Sequence, residues 1–515
     1  MRRFRMRSTE RRSRRHYLAA TLAACAALAA GVFAAPPRPE VKMEPVKPAP
    51  VAADPAAGKA LYERHCAQCH GEQGKGDGPA ADLVYPRPRD FTLALYKVRS
   101  TPTGQLPTDQ DLYRAISEGL PGTSMPPWKK YLSEAERWQL VHQVKTFDVL
   151  DLFRDEPQKA RIAVGSPPRI TPELLARGKD LYESKKCGQC HGQYGRGDGT
   201  SADQMKDDWG FPIRPVNFTK GWRFRAGDRV EDIYRTFTTG FNGTPMPSFV
   251  DAIPAAEDRW ALAAYVKSLV RSQKTGHVLK ARFHAGAIPA DPWAAAWEKA
   301  GYVDFLLAGQ IIIEPRWFTP AHDVITARAL YNGREIAILV EWDDGTHNRG
   351  GAKPADEVEL QFPARPDTGD ERPYFVLGDR KNPVELWRWN AGKGLTRLIA
   401  EGADRLREER DGGIAAEGTY RDGQYRVIFR RALVPESKDA LRFEPGRFVP
   451  VAFHLRDGDA GEEGLKMAVS AWYYVIAELP TPVTAYLWPL VLGLATVGGE
   501  IWLLRQLRRR KGVAA

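Results

Sequence analysis

The sequence predicts a multidomain chain: two small all-α domains related by duplication, one β-sandwich domain, and a C-terminal transmembrane helix. Three observations carry this reading. A segment beginning at Gly58 recurs at Gly178 in the same register. Beyond about residue 285, helical periodicity gives way to short alternating strands separated by turn dipeptides. A 22-residue apolar run, Val483 to Leu504, stands directly before a basic tail.

At 515 residues the chain is too long for one core. With 43% hydrophobic and 27% charged residues it reads as ordinary globular protein. The formal charge of +11 belongs to the two ends: residues 1–16 contribute +7 and residues 505–511 contribute +5. What lies between is near neutral, so the charge does not point to nucleic acid.

Both basic ends abut apolar runs. Arg11, Arg12, Arg14 and Arg15 precede Tyr17–Ala35, which makes residues 1–35 an export signal or an N-terminal membrane anchor. Three outcomes stay open here. Residues 13–18 resemble a twin-arginine signal, and Leu22-Ala-Ala-Cys25 resembles a lipobox followed by ten further apolar positions. The third is an uncleaved anchor, favoured by Pro36-Pro37. Residues 36–53 are Pro/Ala-rich and read as a linker. Residues 483–504 are long enough to span a bilayer, and the 505–515 tail is basic, against the alternative of a buried core helix. The positive-inside rule then puts residues 36–482 on the periplasmic face of a bacterial cytoplasmic membrane, with the tail cytoplasmic.

The repeat is close. Gly58-Lys-Ala-Leu-Tyr-Glu leads to Cys66-Ala-Gln-Cys69-His70, and Gly178-Lys-Asp-Leu-Tyr-Glu leads to Cys187-Gly-Gln-Cys190-His191. Asp111-Leu-Tyr-Arg parallels Asp232-Ile-Tyr-Arg, and Gly122-Thr-Ser-Met125-Pro126 parallels Gly243-Thr-Pro-Met246-Pro247. Met125 follows Cys66 by 59 positions, and Met246 follows Cys187 by the same 59. A six-residue offset between Asp90 and Asn217 is given back before the Met. The copies run over 54–150 and 171–275.

Cys-x-x-Cys-His has a mechanical meaning: two thiols attach to the vinyl groups of a haem, and the next residue ligates its iron. A distant Met sulfur closes the other face and raises the reduction potential. Each copy provides a complete set, so the sequence predicts two haem c. Cys66, Cys69, Cys187 and Cys190 are the covalent attachments, and His70, Met125, His191 and Met246 are the axial ligands of iron. Zinc would need a fourth donor in each copy, and neither offers one. A thioredoxin-like pair would require neither the trailing His nor the repeated Met. Cys25 lies in the leader, so every other Cys belongs to a haem motif. Trp138 and Trp260 read as packed core rather than electron conduits. Residues 54–275 resemble two class I cytochrome c domains in tandem, which implies a small all-α fold whose terminal helices cross beside the haem.

In the segment 286–478, Asn332-Gly333 and Asp422-Gly423 each join two strand-like runs as tight hairpins. Further strands are expected at Val358–Phe362, Glu385–Trp389, Val449–His454 and Ala468–Ile476. Tyr374-Phe-Val-Leu-Gly, Pro383-Val-Glu-Leu-Trp387-Arg-Trp389, Phe429-Arg-Arg-Ala-Leu433 and Lys466-Met-Ala-Val-Ser-Ala-Trp472 resemble the haem-binding γ subunit of ethylbenzene dehydrogenase and related molybdenum enzymes. That family holds a b-type haem between a Met and a Lys. Lys466 falls at the Lys position, whereas Leu377 stands where the Met is expected. Met467 adjoins Lys466, and as neighbours on a strand the two would face opposite ways. His454 is the alternative donor in reach of this reading, but it reads first as an ordinary partly buried strand histidine. Trp342, Trp387 and Trp389 read as core, with a sugar-binding platform as the alternative.

The functional expectation is an electron-transfer subunit rather than a catalytic one: a membrane-anchored dihaem c-type cytochrome, trihaem if the third domain binds haem b. It passes single electrons between a respiratory-chain donor or acceptor and a periplasmic oxidoreductase, which the γ-subunit resemblance makes a molybdenum enzyme. The alternatives are a haem enzyme (a peroxidase or sulfur-compound oxidoreductase) and a haem-bearing sensor or sugar-binding protein.

Overall fold

The structure, a computed structural model, describes residues 41–155, 158, 160–365, 372–435, 440–479 and 484–511. The export or anchor segment 1–35 lies outside the described residues. The chain divides into two compact units. One comprises residues up to 82, 86–189 and 201–270; the other comprises 83–85, 190–200 and 271 onward.

The first unit is helical, and its two copies use the same elements. In copy one, Asp54 caps the helix Pro55–His65 by accepting from the amides of Ala56 and Ala57, with Pro55 in the first turn. In copy two, Thr171 caps Pro172–Ser184 from the amide of Leu174. Capping boxes open Asp109–Glu118 and Glu134–Lys145. The first and last helices of each copy pack together, and the contact explains a repeated glycine. A Cβ on Gly58 would lie 3.0 Å from the Gln139 carbonyl oxygen, and one on Gly178 only 2.1 Å from that of Ala261. Trp138 stacks on the half-buried Tyr113 at 4.3 Å and Trp260 on Tyr234 at 4.1 Å, with both Trp in the core. The segment read as a linker carries a strand, Met43–Pro45, which pairs antiparallel with Ala160–Ile162 in the connector between copies.

The second unit is built on a large sheet that doubles over at one strand. Phe448–Arg456 pairs through Phe448–Val451 with Tyr473–Ala477, and through Ala452–Arg456 with Glu357–Pro363. One half continues through Val278–Phe283, Val324–Tyr331, Glu335–Asp343, Gln424–Ala432 and Ile414–Arg421. The other continues through Val384–Asn390, Gly394–Ala400 and Leu406–Glu409. The halves share one apolar core, in which Trp389 meets Tyr425 at 5.8 Å and Trp387 meets Phe429 at 6.5 Å. Both expected hairpins form. Tyr331 pairs with Ile336 around Asn332-Gly333, and Arg421 with Gln424 around Asp422-Gly423, where both turn residues have positive φ. The strand expected over Ala468–Ile476 is instead two, Ala468–Val469 and Tyr473–Ala477. Ser470 interrupts it, because its hydroxyl accepts from the Phe453 amide and donates to the Ala471 carbonyl.

The chain then forms the helix Thr484–Lys511. Within it, Leu487–Leu507 has mean hydropathy 1.6, is wholly exposed, and is long and apolar enough to cross a membrane.

Candidate haem-binding sites

The attachment motif of copy one is a helical turn. The Cys66 amide donates to Tyr62 O at 2.8 Å, closing the first helix, and His70 N donates to Cys66 O at 2.9 Å within Ala67–His70. Residues three and four apart lie on one face of such a turn, so Cys66, Cys69 and His70 present together. The His70 Nδ1 lies 3.0 Å from the carbonyl oxygen of Arg89. As a donor there, Nδ1 fixes the ring and leaves Nε2 for a metal, the usual arrangement of a ligating imidazole. Phe91 stacks on the same ring at 4.5 Å. Burial, then the neighbouring Cys69, pushes the Cys66 thiol up to about 12. This is the reverse of the low-pKa thiolate that a thioredoxin-like pair needs.

Copy two repeats the local backbone. Cys187 N donates to Tyr182 O at 3.0 Å before the turn Gly188–His191. Gly76 N meets His70 O at 2.9 Å, as Gly197 N meets His191 O at 2.8 Å. Gly78 N reaches Cys69 O, and Gly199 N reaches Cys190 O, both at 3.2 Å.

The Met loops are matched more closely still. The Thr123 hydroxyl donates to Leu120 O at 2.7 Å and accepts from Met125 N at 3.1 Å. The Thr244 hydroxyl donates to Phe241 O at 2.9 Å and accepts from Met246 N at 3.3 Å. Leu120 N closes on Met125 O, and Phe241 N on Met246 O. Behind each loop sits a glycine with positive φ, Gly119 at 67° and Gly240 at 65°. A Cβ on Gly119 would stand 2.6 Å from Met125 O, and one on Gly240 3.0 Å from Met246 O. Each half-buried Met is therefore held by backbone and hydroxyl hydrogen bonds, and Met246 borders the same apolar cluster as Cys187. Sequence reasoning singled out the Met and Pro but not the Thr; its recurrence two residues before both Met was the available signal.

The two copies touch through residues outside the Cys-x-x-Cys-His and Met-Pro motifs. Arg99 is 1% exposed and donates to Thr239 O at 2.5 Å and Gly240 O at 3.3 Å, joined by the Thr103 hydroxyl to Thr239 O at 2.7 Å. Arg114 donates to Asp232 Oδ1 at 2.9 Å, and Arg229 and Arg235 also contact that buried carboxylate. Burial alone would raise Asp232, but these arginines hold it down at about 2. The Arg89 guanidinium lies over Trp209 at 4.2 Å, and Arg87 over Phe211 at 4.5 Å.

In the sheet unit, the residues considered for a third haem occupy different surroundings. Lys466 and Met467 precede the strand rather than lying on it. Lys466 is half-buried, with its ammonium 5.4 Å from the Trp317 ring centre. Met467 is fully buried, and its sulfur accepts from Arg456 at 2.9 Å. Leu377 is buried in the same apolar cluster as Met467 and offers no donor. His454 is completely buried, with Nδ1 2.8 Å from Glu359 Oε2. Burial would raise Glu359, but Arg456 and Arg388 hold it well below the usual carboxylate range. The residues present do not supply the Met donor, so no third haem enters the function proposed below. Trp342, Trp387 and Trp389 are 3%, 1% and 6% exposed, which makes them core and leaves no sugar platform among them.

Comparison with known proteins fixes the class. Residues 53–142 and 173–266 match the family described as cytochrome C oxidase, cbb3-type, subunit III. These two segments are cytochrome c domains. The chain is also homologous to haem subunits of reductases. A Haloferax mediterranei protein, provisionally named respiratory nitrate reductase heme subunit ORF7, is 23% identical over 227 residues, 44% of this chain and 82% of its own. The chlorate reductase subunit gamma of Ideonella dechloratans is 25% identical over 227 residues, 42% of this chain and 91% of its own. Among solved structures, a chain of the Kuenenia stuttgartiensis reducing HAO-like protein complex is 45% identical, with 44% of this chain and 100% of that one covered at TM-score 0.41.

Proposed function

We propose that this protein is the membrane-anchored dihaem electron-transfer subunit of an extracytoplasmic reductase or dehydrogenase complex. In this reading it carries single electrons between the respiratory chain and a periplasmic partner of the molybdenum type. Cys66 and Cys69 would hold one haem c with His70 and Met125 as iron ligands, and Cys187 and Cys190 would hold the other with His191 and Met246. Each haem would supply a one-electron iron couple, at a potential that a Met ligand raises.

The observation that carries the reading is the duplicated Met loop. Two loops of different flanking sequence tie their Met backbones with the same Thr hydroxyl bridge and the same closing amide. A Met held in this way would stay bound to the iron, which suits electron transfer and works against catalysis at an open metal. The positive-inside reading of the C-terminal helix supports an exported position for the domains. Homology to nitrate and chlorate reductase haem subunits supports a reductase as partner.

A pyridine haemochrome assay on the purified chain tests the cofactor content. Two haem c per polypeptide, both resistant to acid–acetone extraction, and no haem b are expected. A single c haem would defeat the assignment, and an extractable b haem would show that the sheet unit ligates iron by another route. The ferrous protein should also bind carbon monoxide only slowly, with loss of the Met ligand; rapid binding with the Met retained would favour an enzyme.

A further inference from the structure

Three loops at strand ends of the sheet unit converge on a cluster that electron transfer does not use. His322 lies just before the strand Val324–Tyr331, Asp344 just after Glu335–Asp343, and Asp457 just after Phe448–Arg456. All three are buried. His322 Nε2 lies 3.9 Å from Asp344 Oδ2 and 3.6 Å from Asp457 Oδ2, and one ligand atom from each residue falls within 4.8 Å of the others. We infer that His322, Asp344 and Asp457 form a structural site for a divalent cation, with Zn2+ as the best match to its donors.

The carboxylates divide their oxygens in the way a metal site requires. Asp344 Oδ1 accepts from the amide and hydroxyl of Thr346 at 2.9 and 3.1 Å, which fixes the side chain. Its Oδ2, on a side chain 1% exposed, accepts no hydrogen bond and faces His322. Asp457 Oδ1 is likewise tied to Ala460 N at 3.1 Å. A buried oxygen without a donor is costly unless something else satisfies it. Spacings of about 3–4 Å suit donors that share one ion at about 2.0–2.2 Å from each.

Two further carboxylates surround the cluster, already engaged. Asp356 accepts from Asn348 N at 2.7 Å, Tyr425 OH at 2.6 Å and Gly458 N at 2.9 Å. Glu462 accepts from Trp317 Nε1 and Ala321 N at 2.8 Å and from Asp457 N at 3.0 Å. They brace the loops that carry the inner donors. Asp344 and Asp457 bring two like charges into one buried space beside His322, where they repel. A cation would relieve that repulsion. One imidazole with two carboxylates leaves a fourth position for water, as zinc accommodates, whereas calcium prefers six to eight oxygens. Bound there, the ion would pin three loops at once, and its binding free energy would add to the stability of the folded sheet.

The test uses the detergent-purified full chain, stripped with a chelator and then titrated with Zn2+, with metal content and melting temperature as readouts. Wild type is expected to take up close to one Zn2+ per chain and to melt at higher temperature, with unchanged c-haem absorbance. Asp344→Asn and His322→Gln should each lose the bound zinc and the zinc-dependent gain. In chelator, Asp344→Asn should melt no lower than stripped wild type, because it removes one of two facing carboxylates. Failure of wild type to bind zinc, retention of full zinc by Asp344→Asn, or a fall in the chelated melting temperature of Asp344→Asn would each overturn the site.

Discussion

The two cytochrome c domains share one blueprint and differ at one carboxylate and in two loops. Asp111 and Asp232 occupy the same place in the repeat. Asp111 works within its own copy: its Oδ2 accepts from Ser100 N, the Ser100 hydroxyl and Thr108 N, all at 2.9 Å. Asp232 gathers Arg114 from the other copy together with its own Arg229 and Arg235. The loops differ by equal and opposite amounts. Asp90 to Asp111 is 21 positions against 15 from Asn217 to Asp232, whereas Cys66 to Asp90 is 24 against 30 from Cys187 to Asn217. The extra stretch of copy one includes Thr103 and adjoins Arg99, both of which hold Thr239 O. The extra stretch of copy two carries Trp209 and Phe211, which receive Arg89 and Arg87. The backbone hydrogen bonding of the Cys-x-x-Cys-His turns and Met loops is thus repeated, and the length differences are spent on joining one copy to the other.

Substitutions can break that asymmetry. Asp232→Asn should have the largest effect, since it strands arginines around a buried site; a loss of about 3–5 kcal/mol is expected in denaturant melts. Asp111→Asn should cost only about 1 kcal/mol, the scale of a lost helix cap. Equal losses would mean that the clasp between copies is not a distinguishing feature. The clasp should also be pH-sensitive. The folded Asp232 lies at about 2, below the ordinary value near 3.9, so its stabilisation is fully present above about pH 4 and fades as pH falls towards 2. Asp232→Asn should flatten that part of the stability–pH curve.

Gly178→Ala should destabilise by about 1–3 kcal/mol and Gly58→Ala by less, because the two added methyls meet backbone oxygen at 2.1 and 3.0 Å. The reverse order would show that the helix crossings differ from those described. A small effect is expected from Trp209→Ala. It removes a cation–π contact of about 0.5–2 kcal/mol and loosens Arg89, whose carbonyl orients His70. Weaker donation from the imidazole should raise the potential of the first haem slightly and leave the second unmoved, as read by redox titration.

The features legible in the sequence were those written in contiguous residues. Cys-x-x-Cys-His, the Met-Pro pairs and the turns at Asn332-Gly333 and Asp422-Gly423 each carry their own local constraint. The strands Gly394–Ala400 and Leu406–Glu409 escaped notice because polar residues such as Thr396, Arg397, Arg407 and Glu408 interrupt their apolar pattern. The Asp232 clasp joins residues 118 positions apart; both belong to the repeated Asp-x-Tyr-Arg stretch, but the repeat shows equivalence between copies and not contact across them. His322, Asp344 and Asp457 come from three separate loops, so no spacing rule could have collected them. Lys466 shows the reach of register alone: a residue in register with a family motif still depends on a partner, and position 377 holds Leu.

Spectroelectrochemical titration of wild type, Met125→His and Met246→His tests the central claim most directly. Wild type should show two c-type couples, and each variant should move one of them downward while the other stays in place, a shift drawn from the ~0.8 V span that axial ligands command. Unmoved couples in both variants, or joint displacement of both couples by either one, would contradict the assignment of one Met to each haem.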